Sequence, residues 1–107
     1  MTLPTIEELN LLHATICQAV GDPRRMQILY ALHAQSRNVT AISECLDIPQ
    51  PTVSRHLAVL KNSGLVTAER DGRSVIYRLV DERIIGVADT MRDILRDSLE
   101  RQSDILE

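Results

Sequence analysis

The chain has 107 residues, of which 44% are hydrophobic, 25% charged and 2% aromatic, and its formal net charge is -3. This length suits one domain with a single core and leaves no room for a separate catalytic domain, and the apolar content is that of a folded chain. No apolar run could span a bilayer, residues 1–4 lack the basic start of a secretion signal, and two cysteines are too few for a disulfide framework. We therefore expect one cytoplasmic domain over residues 1–107, with no membrane contact.

Two helices are predicted in the first third of the chain. Apolar side chains recur at intervals of three and four residues, and Thr5 opens a capping-box pattern, so a first helix is predicted over residues 5–20. Asp22 offers an N-cap oxygen and Pro23 suits the first helical position, which predicts a second helix over residues 23–35.

A helix-turn-helix is predicted over residues 39–63. Its first helix is short, with an apolar face over residues 39–46, and a tight turn follows. Pro51 begins the next helix and Gly64 closes it, with a buried stripe at helical spacing between them. The opposite face of this fourth helix is polar or small, so it could approach a groove closely.

A β-hairpin is predicted over residues 65–79. Two β-favouring runs, residues 65–70 and 74–79, are joined through Asp71 and Gly72, a dipeptide typical of tight hairpin turns. Such a ribbon next to a helix-turn-helix is predicted to form a wing.

Asp81 is the predicted N-cap of a last helix over residues 82–104, whose apolar stripe is longer than a small three-helix core can cover. Four helices, a hairpin and a fifth helix predict a mainly α winged helix-turn-helix domain, with the fourth helix suited to the major groove of DNA. The same helix of a second copy is expected to bury the part of the stripe that this core leaves exposed. We therefore expect a homodimer in which the first and last helices are the dimerisation elements.

The charge is distributed unevenly along the chain. Residues 50–79 hold five basic and two acidic side chains, a net charge of +3. Residues 1–49 hold three basic and five acidic side chains, and residues 80–107 hold four and eight, giving -2 and -4. Because only the groups that meet phosphates decide counterion release, a local basic segment predicts binding to double-stranded DNA despite the acidic total.

Four segments closely resemble the ArsR/SmtB family of dimeric bacterial repressors: DPRRMQIL at 22–29, QPTVSRHLAVL at 50–60, SGLV at 63–66 and GRSVIYRL at 72–79. The resemblance covers about residues 5–100. It implies a sequence-specific transcriptional repressor that binds an inverted-repeat operator and leaves it when an inducer binds or a thiol reacts.

The same resemblance implies DNA contacts from the fourth helix and from the wing, at Gln50, Thr52, Ser54, Arg55, His56, Arg70 and Arg73. The side-chain chemistry agrees, since Arg55 can fork onto a guanine edge and Gln50 or Thr52 can meet a base or a phosphate. Lys61 could add only point charge. His56 borders the buried stripe, which favours packing and a phosphate contact over pH sensing.

Two metal sites that the resemblance implies lack their ligands here. The thiolate site falls near Asn38, Thr40 and Ser43, none of which is a cysteine. The site on the last helix falls on four positions of which two would be histidines, and they are occupied by Asp81, Arg83, Ile94 and Asp97. We therefore expect no metal cofactor at either place, and the inducer stays unknown.

Three residues are candidates for sensing: Cys17, Cys45 and His13. His13 precedes Cys17 by four residues, so both could face one metal, although the simpler prediction is a buried thiol beside a surface histidine. Cys45 lies on the apolar face of the third helix and is predicted to pack in the core. A thiol switch between the two cysteines would require Cα atoms within roughly 7 Å of each other.

Other classes of function fit the sequence less well. A winged helix can also serve as a protein-interaction or dimerisation module without operator specificity, and the fold alone does not choose. The basic wing and the uncluttered outer face of the fourth helix favour DNA. No nucleophile lies in a recognisable triad and no glycine-rich phosphate loop is present, so we do not expect an enzyme.

Overall fold

The computed structural model describes the backbone of residues 1–106 and the side chains of residues 1–104, so Glu107, the last residue of the predicted domain, lies outside it. Helix α1 consists of an α-helical part, a π-helical part and a last α-helical turn: Ile6–Leu12, His13–Cys17 and Gln18–Val20. The remaining elements are α2 (Pro23–Ala34), α3 (Val39–Leu46), α4 (Gln50–Asn62), β1 (Val66–Asp71), β2 (Ser74–Leu79) and α5 (Arg83–Leu106). The predicted order of elements is confirmed.

The predicted caps form because each places an oxygen next to backbone N–H groups that have no partner inside the helix. The Thr5 hydroxyl accepts from the backbone N–H of Glu8 at 3.2 Å. Asp22 Oδ1 accepts from the backbone N–H groups of Arg24 and Arg25 at 2.8 and 3.2 Å. Each cap fixes where its helix begins, and Asp22 also fixes the angle between α1 and α2.

The turn between α3 and α4 is held by two features that the sequence analysis did not identify. Asn38 is the N-cap of α3, with its side-chain oxygen 2.8 Å from the backbone nitrogen of Ala41. Asp47 adopts the left-handed conformation (φ 54°, ψ 51°), which reverses the chain and buries Ile48. As a result α4 begins at Gln50, one residue before the predicted start.

One core lies between α2, α3, α4 and the base of the hairpin. Its largest fully buried side chains are contributed by all of these elements: Ile28, Leu29, Ile42, Val53, Leu57, Leu60 and Val66. The predicted buried stripe of α4 is therefore confirmed. Because this stripe points inward, the opposite face of α4 is turned outward.

The hairpin is antiparallel, and its pairing differs from the prediction by one residue. Asp71 pairs with Ser74, so Gly72 and Arg73 form the tip, and Gly72 has the positive φ of 63° that the turn requires. Tyr77 also pairs with Arg37 through two backbone hydrogen bonds of 2.8 and 3.3 Å. This bridge fixes the wing against the segment that links α2 to α3.

Helices α1 and α5 leave apolar surface uncovered. Ile84, Ile85 and Ala88 bury the beginning of α5, but farther along Ile94 is 60% and Leu99 is 54% exposed. The radius of gyration is 16.5 Å, whereas a compact chain of this length has about 13 Å. One copy is therefore less compact than a typical domain of its length, and apolar side chains on α1 and α5 remain exposed to solvent.

The predictions that Cys17 and Cys45 are buried are wrong, since both are exposed free thiols. Ile42 occupies the buried side of α3, and Cys45 lies on the flank of that short helix. Cys17 ends the π-helical part of α1, where the helix faces a surface cleft. Within residues 1–106, none of the helices has the length and apolar character needed to cross a membrane.

Candidate nucleic-acid interface

The outward face of α4 carries polar side chains that are free to reach a partner. Gln50, Ser54, Arg55 and Lys61 are exposed, and Thr52 is half-buried. Arg55 Nη2 lies 3.3 Å from the Thr52 hydroxyl, so a contact one turn back along the helix orients the guanidinium. Its remaining N–H groups stay available for a planar acceptor such as a guanine edge.

The wing supplies two more cations. Arg70 lies on β1 and Arg73 at the tip, and both are exposed. Among the described residues no carboxylate lies within 4.0 Å of either side chain, whereas Arg78 on the neighbouring strand pairs with Glu69 at 3.9 Å. Arg70 and Arg73 can therefore bind phosphates without first breaking an ion pair within the chain.

The wing tip is tied to the helix-turn-helix by a side-chain contact. Asn38 Nδ2 donates to the Ser74 hydroxyl at 3.3 Å, and Asn38 is also the cap of α3. Together with the bridge between Arg37 and Tyr77, this contact holds the wing in a fixed position relative to α4. Sequence reasoning missed it because the two residues are 36 positions apart.

His56 is placed differently from the other predicted site residues of α4. Its side chain is 17% exposed and turns toward the start of α2, with Nδ1 3.3 Å from Arg25 Nη1 and Nε2 4.0 Å from Asp22 Oδ1. When Arg25 donates to Nδ1, the proton of the neutral ring lies on Nε2 and faces the Asp22 carboxylate. In this position His56 anchors α4 to α2.

Arg25 joins three elements at this point. Its Nε and Nη2 donate to the backbone oxygens of Ala19 and Gln18 at 2.6 and 3.0 Å, and its Nη1 meets His56. A single guanidinium therefore caps the carboxyl end of α1 and contacts α4. Burial acts to raise the pKa of Asp22. The backbone N–H groups of Arg25 and Arg24, which donate to it, and the charges of Arg25 and of His56 in its protonated form hold that pKa below its usual value.

The sensing candidates lie apart from this face. His13 and Cys17 are on α1, and Cys45 is on α3. Asp81, at one of the implied metal positions, instead accepts from Arg83 Nη2 at 2.7 Å. The hydrogen bonds from the Arg83 side chain and backbone N–H lower the pKa of Asp81 to about 2. In the part of the chain that the structure describes, no three His, Cys, Asp or Glu side chains cluster in a way that could hold a metal ion.

Comparisons with known proteins agree with this geometry. The sequence pattern of the arsR family of bacterial regulatory proteins matches residues 22–68. The HTH-type transcriptional repressor SmtB of Mycobacterium tuberculosis (strain ATCC 25618 / H37Rv) is 39% identical over 85 residues, which are 78% of this chain and 63% of that protein. An uncharacterized HTH-type transcriptional regulator of Methanocaldococcus jannaschii is 43% identical over 72 residues, 66% of this chain and 81% of the other.

Solved structures give the same picture. The solution structure of a homodimeric winged helix-turn-helix DNA-binding domain from Mycobacterium bovis is 30% identical, with a TM-score of 0.74 over 94% of this chain and 95% of that one. The crystal structure of a second mycobacterial protein, from M. tuberculosis, has a TM-score of 0.76 at 27% identity and covers 88% of this chain and 95% of its own. The chain spans less than two thirds of the length of the mycobacterial repressor named above.

Proposed function

This chain belongs to the arsR family of bacterial regulatory proteins, and we propose that it acts as a homodimeric transcriptional repressor that binds an inverted-repeat operator. The observation that carries the proposal is the outward face of α4 together with the wing. Arg55, Lys61, Arg70 and Arg73 are exposed there without carboxylate partners among the described residues. The flanking parts of an otherwise acidic chain would keep the rest of the surface away from phosphates.

In this proposal each exposed group has a different task. Arg55, held by Thr52, reads a guanine through two parallel hydrogen bonds, and Gln50 and Ser54 meet base edges or phosphates near the beginning of the helix. Lys61, Arg70 and Arg73 contact phosphates and fix the register of the protein on the duplex. His56 acts from behind, by holding α4 at its angle to α2.

A second copy would cover the apolar surfaces of α1 and α5, which explains why one copy alone is so extended. Both termini of the 1–107 domain would then serve dimerisation, while residues 39–63 and 65–79 serve DNA binding. A twofold axis would present two α4 helices to half-sites separated by about one helical turn, 10–10.5 base pairs. An inducer that changes how the two copies pack would change this spacing and release the DNA.

The experiment is a fluorescence-anisotropy titration of a labelled duplex that carries an inverted repeat from the promoter of the chain's own gene. We expect sub-micromolar binding of two chains per duplex at moderate salt, and much weaker binding to the same bases in scrambled order. Equal affinity for both duplexes would refute operator specificity. In that case a protein-interaction module becomes the better account, and partner binding would survive neutralisation of Arg55 and Arg73.

A further inference from the structure

Three helices contribute sulfur-containing residues to the lining of one cleft that the proposed DNA interface does not use. The cleft has a volume of about 520 Å³ and is lined by Cys17 of α1, Met26 of α2 and Met91 of α5. The chain has two cysteines and three methionines in all, so three of its five sulfur-containing residues line this cleft. The rest of the lining consists of Val20, Gly21, Pro23, Arg92 and Leu95.

The cleft offers sulfur and almost no other donor. Arg92 is the one charged side chain of the lining, and its guanidinium is already engaged. Its Nη1 lies 3.4 Å from both the Tyr30 hydroxyl and Asp89 Oδ1, and its Cζ is 5.4 Å from the centroid of the Tyr30 ring. His13 precedes Cys17 by one turn but does not line the cleft. Thiolate and thioether donors select soft ions, Cu(I) in particular.

The charge of the donor set favours a monovalent ion. When a soft cation displaces the thiol proton of Cys17 to solvent, one thiolate and one Cu(I) form a neutral pair, and two thioethers complete the coordination without adding charge. Zn²⁺ on the same donors would leave a net positive charge in an apolar cleft, which is costly, and it prefers four nitrogen, oxygen or thiolate ligands. We propose that this cleft binds one Cu(I) ion per chain through the sulfur atoms of Cys17, Met26 and Met91.

The three ligands can adjust to an ion. In a single copy Cys17 is exposed and Met91 is 41% exposed, so neither side chain is locked into the core of the domain. Methionine has three rotatable bonds, and its sulfur can move toward a ligand without moving the backbone. Bound Cu(I) would join α1, α2 and α5 at a point beyond Ala88, the last buried residue of α5 among those whose side chains the structure describes.

This placement connects the site to the proposed function, on which the regulatory part of the inference rests. Met91 belongs to the exposed stripe of α5 that we assign to the second copy. An ion that pulls Met91 toward Cys17 and Met26 would change how α5 meets the second copy. Cu(I) would therefore act as the inducer, by lowering the affinity of the dimer for its operator.

The binding test is an anaerobic titration of the full chain with Cu(I) in competition with a chromogenic chelator, repeated with Ag(I) as a redox-inert soft probe. We expect one equivalent per chain. Met26→Leu and Met91→Leu nearly keep the side-chain volume, so both variants should fold, and each should lower the Cu(I) affinity at least tenfold. Cys17→Ser should abolish tight binding, and the matched variant Cys45→Ser should leave it unchanged.

Two results would overturn the site: an unchanged affinity in both methionine variants, or equal losses in Cys17→Ser and Cys45→Ser, which would indicate thiolates shared between chains. His13→Ala provides a further check. A tenfold loss of Cu(I) affinity in this variant would mean that the His13 imidazole, and not one of the two thioethers, is a ligand, and would overturn the proposed set of ligands. X-ray absorption of the loaded protein should show sulfur scatterers only.

The DNA test separates this inference from the proposed function. Cu(I) should weaken operator binding by the wild type at least tenfold and have little effect on Met26→Leu or Met91→Leu. Operator binding without Cu(I) binding would refute the metal site alone. Cu(I) binding by a chain that binds no DNA would refute the proposed function alone, and Cu(I) binding that leaves DNA affinity unchanged would refute its role as inducer.

Discussion

Replacing Arg25 by alanine should destabilise the protein far more than its place on the surface suggests. The guanidinium donates to the backbone oxygens of Ala19 and Gln18 and contacts His56. Ala19 is 1% exposed, so water cannot easily replace the lost donor there. Hydrogen bonds from a charged donor contribute about 1.5–3 kcal/mol each. The backbone oxygen of the exposed Gln18 can be hydrated by water after the substitution, so its bond counts for less. We therefore expect the free energy of unfolding to fall by about 2–4 kcal/mol.

The measurement is urea denaturation at one fixed protein concentration, because the stability of a dimer depends on concentration. Arg24→Ala is the matched control, since the Arg24 side chain makes only an exposed contact with Gln27 at 3.0 Å. It should cost less than about 0.5 kcal/mol. Arg25→Lys should recover only part of the loss, because a single ammonium group cannot reach the three partners that the planar guanidinium contacts. Equal, small effects of Arg24→Ala and Arg25→Ala would refute the reasoning.

Two further predictions concern local structure. The pKa of Asp81 is lowered from 3.8 to about 2, so the cap that its carboxylate forms on α5 should be complete above pH 4 and be lost as the pH falls through 2. Hydrogen exchange of the Arg83 amide measures the loss of this cap, and a midpoint near pH 3.8 would contradict the prediction. Asp47 has a φ of 54°, so Asp47→Gly should stabilise the protein by about 0.5 kcal/mol in urea, whereas Asp47→Ala should not; destabilisation by glycine would contradict the assignment.

The helices could be predicted because the information that defines them is local. Thr5, Asp22 and Asp81 each cap a helix within three residues of themselves, and the apolar spacing of α4 identifies its buried face without knowledge of the partner elements. The hairpin was predicted one residue too early, since Asp71-Gly72 suits a turn but the pairing of Asp71 with Ser74 places Gly72-Arg73 at the tip.

Contacts between distant parts of the chain could not be predicted in the same way. His33 Nδ1 lies 2.5 Å from Glu82 Oε2, across 49 residues, and the Tyr30 hydroxyl donates to Asp89 at 2.6 Å across 59. The first contact joins α2 to the residue that precedes α5, the second joins α2 to α5 itself, and no periodicity connects these positions. The exposure of Cys45 was missed for a related reason, because an apolar face on an eight-residue helix has flanks that the core does not reach.

The sequence predicts which side chains could form the candidate DNA interface, but it predicts only part of their geometry. A helical wheel is enough to place Arg55 outward, but the inward turn of His56 depends on Arg25, which lies 31 residues earlier. The sulfur-lined cleft could not be predicted from the sequence, since Cys17, Met26 and Met91 belong to three different helices and line one cleft only in the folded chain.

The central claim, that α4 reads a DNA sequence, is tested most directly by measuring one arginine on two duplexes. Arg55→Ala, Lys61→Ala and the control Arg101→Ala on α5 are titrated against the inverted repeat and its scrambled form. We predict that Arg55→Ala loses about 1–3 kcal/mol on the inverted repeat and little on the scrambled duplex, that Lys61→Ala weakens both alike, and that Arg101→Ala changes neither. An equal loss on both duplexes for Arg55→Ala, or no loss on either, would contradict the account.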